Sequence, residues 1–171
     1  VRDYMDDIGL VYILSQQQEN FLHELAKNKM EFVSMYETDV IFYPGRQTEF
    51  YDSGKEIVRL EELEGIRFIQ NYQDEFFDLG SVQENAFQWR DLDISVLTNS
   101  DYIMEKMLKN SKVSNVSGSY LSENKKGTTP GIPLELGNNK VIFGYIFHKG
   151  EKMDDSVEEF LTFLKSRLPK S

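Results

Sequence analysis

The sequence has no cysteine, which excludes disulfides, thiolate metal sites and cysteine nucleophiles. His23 and His148 are its whole supply of imidazole, so a multi-histidine metal centre is excluded as well. Positive charge is scarce: 19 Lys and Arg stand against 29 Asp and Glu, for a formal net charge of −10. Duplex DNA is a polyanion and is ordinarily met by a basic face, so the chain alone is a poor candidate for binding it. Acidity of this size fits a solvated regulatory or small-molecule-binding domain. No apolar stretch approaches the length of a membrane span, and no membrane partner is expected. The chain opens on Val1 without a starting methionine or a signal peptide, and its first apolar run already looks like a buried strand. The expectation is a fragment of a longer, cytoplasmic protein.

What is present suffices for a packed core. Hydrophobic residues make up 40% and aromatics 13% of 171 residues, which argues against global disorder and allows one ordinary domain or two small lobes. Short continuous apolar runs occur at Ile8–Leu14, Val40–Tyr43, Ile66–Ile69, Ile94–Leu97 and Val141–Phe147. Runs this short, without strict alternation, suit strands covered on both faces. A further strand is expected at Val113–Val116.

Helical patterns lie between the runs. Ser15 with Gln18 fits a capping box, and Phe21, Leu22 and Leu25 then share a face. Ile103, Met104, Met107 and Leu108 do the same after Asn99-Ser100. The clearest helix is the last, with Asp155 as cap, Glu158 closing the box, and a stripe of Val157, Phe160, Leu161, Leu164 and Leu168. Strands alternating with helices imply an α/β sheet of substantial parallel character. Gly45 to Gly54 and Glu123 to Pro130 read as exposed loops.

Four segments together resemble LysR-type transcriptional regulators. They are Asp6-Asp7-Ile8-Gly9-Leu10; then Asp39-Val40-Ile41-Phe42-Tyr43-Pro44-Gly45 with Leu60–Gly65 and Arg67-Phe68-Ile69; then Val96-Leu97-Thr98-Asn99-Ser100 with Val116-Ser117-Gly118; and last Gly144–Lys149 with the terminal helix. Their order and spacing carry the likeness, since no one of them is specific. Asn110-Ser111-Lys112 departs from the Gly-rich turn usual in the family. The resemblance implies an effector-sensing domain of the type 2 periplasmic-binding-protein-like fold, with two Rossmann-like lobes and a cleft, the first lobe incomplete. It also implies that the chain crosses a hinge twice. Residues 1–34 and 144–171 would form the partial first lobe and residues 35–143 the second.

In open α/β sheets ligands collect beyond the carboxyl ends of strands, and helix N-termini there favour anions. Thr98, Asn99 and Ser100 stand at such a junction; the same residues also make ordinary helix caps. Gln70 and Asn71 follow a strand and either contact a ligand or form a solvated loop. Ser117, Gly118 and Ser119 either let backbone approach an effector or make a tight turn. The Asp6–Asp7 pair is better explained as strand entry, because adjacent strand residues face opposite sides. Phe76, Phe77 and Trp89 suit packing, and Lys125-Lys126 a loop tip. Neither His23 nor His148 has a nucleophile signature around it.

The implied function is non-catalytic. A small polar or anionic metabolite would be sensed, with no cofactor and no metal. DNA would be reached only through an N-terminal winged helix-turn-helix absent here, in a homodimer or homotetramer. The alternative on the same fold is a solute-binding protein of a transporter.

Overall fold

The computed structural model describes residues 7–71, 91–119, 130–137 and 140–168. Its elements are β1 (Ile8–Leu14), α1 (Gln18–Lys27), β2 (Met30–Tyr43), β3 (Val58–Arg59), β4 (Arg67–Asn71), β5 (Asp93–Thr98), α2 (Asp101–Asn110), β6 (Asn115–Gly118), β7 (Ile132–Glu135), β8 (Lys140–His148) and α3 (Asp155–Arg167). Contacts divide the chain into two compact units. Unit 1 is Val1–Glu37 with Lys140–Ser171, and unit 2 is Thr38–Asn139. Strand β2 contributes residues to both.

In unit 1, β1 pairs antiparallel with β8 along its whole length, from Ile8 opposite Phe147 to Leu14 opposite Val141. β8 lies between β1 and β2. Its central position explains its apolar run, since Val141 to Tyr145 are all buried. Tyr12 stacks on Phe143 with ring centroids 4.7 Å apart. Gly144 permits the close approach of β8 to β2, because a Cβ there would sit 2.3 Å from the Val33 carbonyl oxygen.

The helices of unit 1 begin differently from their sequence signals. Ser15 opens a short 3-10 turn, Ser15–Gln17, and no side chain caps it. The Ser15 hydroxyl instead accepts the backbone N–H of Lys140 at 2.9 Å. The expected capping box is therefore replaced by a tie between β1 and β8. Leu25 of α1 is buried and Phe21 packs edge-on against Phe32 at 5.5 Å, while Leu22 is exposed. The cap of α3 is Asp154, not Asp155, and its side chain accepts no capping bond. Its carbonyl oxygen takes the N–H groups of Val157 and Glu158 at 2.9 and 3.1 Å. The α3 stripe is narrower than its pattern suggests: Leu161 is buried, whereas Phe160 is exposed.

In unit 2, the end of β2 pairs antiparallel with β6, Val40 opposite Gly118 and Tyr43 opposite Asn115, and with β7 at Ile41 and Phe42. Parallel pairing joins β3 to β7 and β4 to β5. The expected parallel character is thus confined to β3–β7 and β4–β5, whereas β1–β8 and the pairs that β2 makes with β6 and β7 are antiparallel. The core is built on Phe42, which meets Phe50 edge-on at 5.3 Å and Phe68 at 6.2 Å. A second cluster gathers Ile41, Tyr43, Ile69 and Leu108, with Val96, Met104 and Met107 of β5 and α2 packed on it. Burying this face of α2 fixes the helix, because isolated helices of its length are marginal in water.

The Gly45–Gly54 segment is not simply an exposed loop, since Gly45 and Phe50 are buried. The Gly45 N–H donates to the Ser114 hydroxyl at 3.0 Å. The 3-10 turn Leu60–Leu63 is started by Glu62, whose carboxylate accepts the Arg59 backbone N–H at 3.0 Å. That bond, aided by Lys55, holds the Glu62 carboxyl below the usual glutamate range. Asp6, Phe76, Phe77, Trp89, Lys125 and Lys126 lie outside the described residues, as does Glu123–Pro130 except Pro130.

Candidate functional site

Most sequence-derived candidates converge on one part of unit 2, where β4, β5 and β6 end. In the parallel β4–β5 pair, Gln70 lies opposite Leu97 and Asn71 opposite Thr98. On the other side of β4, the Ile69 N–H donates to Ser114 O and the Ser114 N–H to Arg67 O, both at 2.8 Å. This ladder brings the start of β6 alongside β4. Thr98-Asn99-Ser100 and Gln70-Asn71 are therefore neighbours, with Ser117-Gly118-Ser119 one strand further on.

Thr98 to Ser100 do act as a cap. The Ser100 hydroxyl accepts the Ile103 N–H at 3.4 Å, and the Ser100 carbonyl oxygen takes the Met104 N–H at 3.0 Å. Behind it, buried Thr98 accepts the Ser100 N–H through its own hydroxyl at 3.1 Å. Asn99 is exposed between them. At this junction the positive end of the α2 dipole coincides with a strand end.

Gln70 is not in a solvated loop. It is the fourth residue of β4 and 1% exposed. Its side-chain N–H donates to Val116 O at 3.1 Å, and its oxygen receives an N–H of Asn115 at 2.8 Å. Burial without such partners would cost about 1–3 kcal/mol per group, so the amide network explains how Gln70 can be internal. It also means that Gln70 positions β6 against β4 rather than presenting a free amide.

Ser117 and Gly118 do not form a turn either. They are the last two residues of β6, paired with Ile41 and Val40. The Gly118 carbonyl oxygen accepts the Tyr43 hydroxyl at 2.7 Å. Ser119 follows the strand; its N–H donates to the Thr38 hydroxyl at 3.0 Å and the two hydroxyls are hydrogen-bonded to each other.

Thr38, Tyr43, Ser114 and Asn115 belong to this region and carry no individual mark in the sequence. Ser114 and Asn115, flanked by Val113 and Val116 in the strand expected there, were the available signal. His23 is exposed on α1 and His148 is buried at the end of β8. Among the described residues no three His, Asp or Glu side chains gather as a metal site would require.

No protein-family model matches the chain, and no curated protein matches it by sequence. Solved structures do match. Full-length CbnR complexed with its target DNA superposes with a TM-score of 0.58 at 13% identity, over 81% of this chain and 46% of CbnR. Reduced OxyR from Porphyromonas gingivalis gives 0.59 at 11% identity, over 98% of this chain and 72% of that one. The regulatory domain of CcmR from Synechocystis PCC6803, in complex with 2-PG, gives 0.60 at 12% identity, over 96% and 74%. CbnR is a LysR family transcriptional regulator, and this chain spans less than half its length. The chain has the fold of these LysR-family regulators, type 2 periplasmic-binding-protein-like.

Proposed function

We propose that this chain is the effector-sensing part of a LysR-type transcriptional regulator and has no catalytic role. The observation that carries the reading is the joint placement of Thr98, Asn99 and Ser100 at the N-terminus of α2, beside the strand ends that carry Asn71 and Ser117 to Ser119. The fold likeness supports it: CcmR was solved in complex with 2-PG and CbnR with target DNA. Those structural neighbours are regulators, which favours sensing over solute transport.

The effector is a small polar or anionic metabolite. At the α2 N-terminus it meets backbone N–H groups and the Asn99 amide, and the helix dipole adds roughly 0.3–1 kcal/mol. Binding shifts the balance between regulator conformations by its differential affinity for them. DNA is engaged by a winged helix-turn-helix elsewhere in the full-length, cytoplasmic protein, acting as a homodimer or homotetramer.

The test is to replace Thr98 and Ser100 singly with Ala and to titrate small carboxylates and phosphate monoesters by calorimetry, well below the melting range. Affinity should fall in both variants. Unchanged affinity alongside lowered melting temperatures would leave these residues as caps only.

A further inference from the structure

We propose that unit 1 carries a second binding pocket, independent of the effector site, for a small monoanion with an apolar body. The pocket lies where the end of α1 meets the start of β2 and the end of β8. Its volume is about 330 Å³, at the lower end of the roughly 300–1,000 Å³ typical of metabolite sites. Leu25, Met30 and Phe32 form apolar wall, and Lys29, Lys149 and Glu31 complete the polar part of the lining.

The charge of the lining selects the ligand. Lys149 Nζ lies 3.3 Å from Glu31, so that pair is close to neutral. Among the described residues no carboxylate stands within ion-pair distance of Lys29. One ammonium is therefore left over beside an apolar cavity, in a chain whose net charge is −10. The negative pole of α1 opposes an anion here, but it amounts to about half a charge and fades within one turn. The first two N–H groups beyond α1 already cover two of its end carbonyls, Asn28 N–H on Leu25 O and Lys29 N–H on Ala26 O. Full ammonium charge outweighs what is left.

Lys29 also has an unusual backbone. Its φ is 53°, the left-handed region that ends many helices and that Gly or Asn normally fills. A long side chain there is sterically disfavoured. The position is fixed by the Lys149 N–H donating to Lys29 O at 2.8 Å. A helix end that needs only a turn is better served by glycine; a lysine keeps the strain and adds a cationic residue to the pocket lining.

The sign of each substitution follows. Lys29→Gly removes the charge and the strain together, so the melting temperature should rise while anion binding falls by roughly tenfold, the equivalent of one charged hydrogen bond. Glu31→Gln frees Lys149 and should tighten binding. A lysine with no part in binding would show the gain in stability alone, with anion affinity unchanged in both variants.

The experiment uses the whole chain labelled at methionine methyl groups, with phenylacetate and its neutral amide as probes and the Met30 resonance as reporter. The expected result is a saturable shift with phenylacetate, roughly tenfold weaker with the amide. The Lys29→Gly variant should be the more stable protein and the weaker binder. No saturable shift at Met30, equal binding of acid and amide, or unchanged affinity in Lys29→Gly would each overturn the proposal. All its residues lie in unit 1 and all the effector candidates in unit 2, so the two readings fail separately.

Discussion

Asn115 of β6 gives one side-chain hydrogen bond to Gln70 Oε1 and another to Ile69 O, each 2.8 Å long. The return bond from Gln70 to Val116 O leaves neither amide free to flip. Asn115 Oδ1, by contrast, is buried and has no hydrogen-bond partner among the described residues. The network thus locks β4 to β6 at the cost of one unmet acceptor. Removing Asn115 loses its bonds to Ile69 O and Gln70 Oε1 and leaves the Gln70 oxygen buried without that donor, so Asn115→Ala should lower stability by about 2 kcal/mol. A double-mutant cycle with Gln70→Ala should show coupling of about 1 kcal/mol. Urea denaturation measures both, and additive single effects would contradict the network.

The cap at α2 makes a separate claim on stability. Ser100→Ala removes the acceptor of the Ile103 N–H and should cost about 1 kcal/mol. Thermal unfolding of the variant checks it, and an unchanged midpoint would show that water replaces the hydroxyl at no loss.

Gly144 sits where β8 crowds β2. A Cβ would meet Val33 O at 2.3 Å and Phe32 at 2.4 Å. The backbone oxygen cannot swing aside as a side chain might, so Gly144→Ala should destabilise by about 1–3 kcal/mol. A control at Gly65 separates sterics from dihedral strain, because a Cβ there meets nothing within 4 Å although φ is +78°. Chemical denaturation of both variants should place Gly144→Ala as the more damaging.

By charge alone the isolated chain should not bind duplex DNA specifically. A net charge of −10 opposes association with the duplex, which is ordinarily driven by release of counterions to a basic face. Fluorescence anisotropy at modest salt should show no sequence-dependent association. Tight binding of one sequence over another would refute this.

The elements most legible in the sequence were those that follow a continuous apolar run. β1 coincides with Ile8–Leu14, and β5 and β8 exceed their runs by a residue at either side. β2 was recognisable only from Val40. Its first ten residues, Met30 to Asp39, alternate Glu and Ser with apolar residues irregularly. Their strand conformation comes from pairing with β8, a long-range contact that no local pattern records. The short strands β3 and β7 escaped for the same reason.

At the site, Ser100 was readable because a cap is a local motif. Gln70 and Ser117 were recognisable as polar residues near strand ends but were assigned to loops. Their burial depends on Asn115 and on the β2 partner across β6, both distant in sequence. The caps at Ser15 and Asp155 went the other way: the residue types were right, but tertiary pairing took the Ser15 hydroxyl and the cap of α3 is Asp154, one residue earlier.

On the function proposed above, unit 2 senses a small polar or anionic metabolite at the N-terminus of α2. An amide-resolved NMR titration with small carboxylates and phosphate monoesters tests it most directly. Saturable shifts should concentrate at residues 98–103, with smaller ones at 70–71 and 117–119. Saturable binding that leaves the amides of Ser100 to Ile103 unmoved, or no saturable binding of any of these anions, would contradict it.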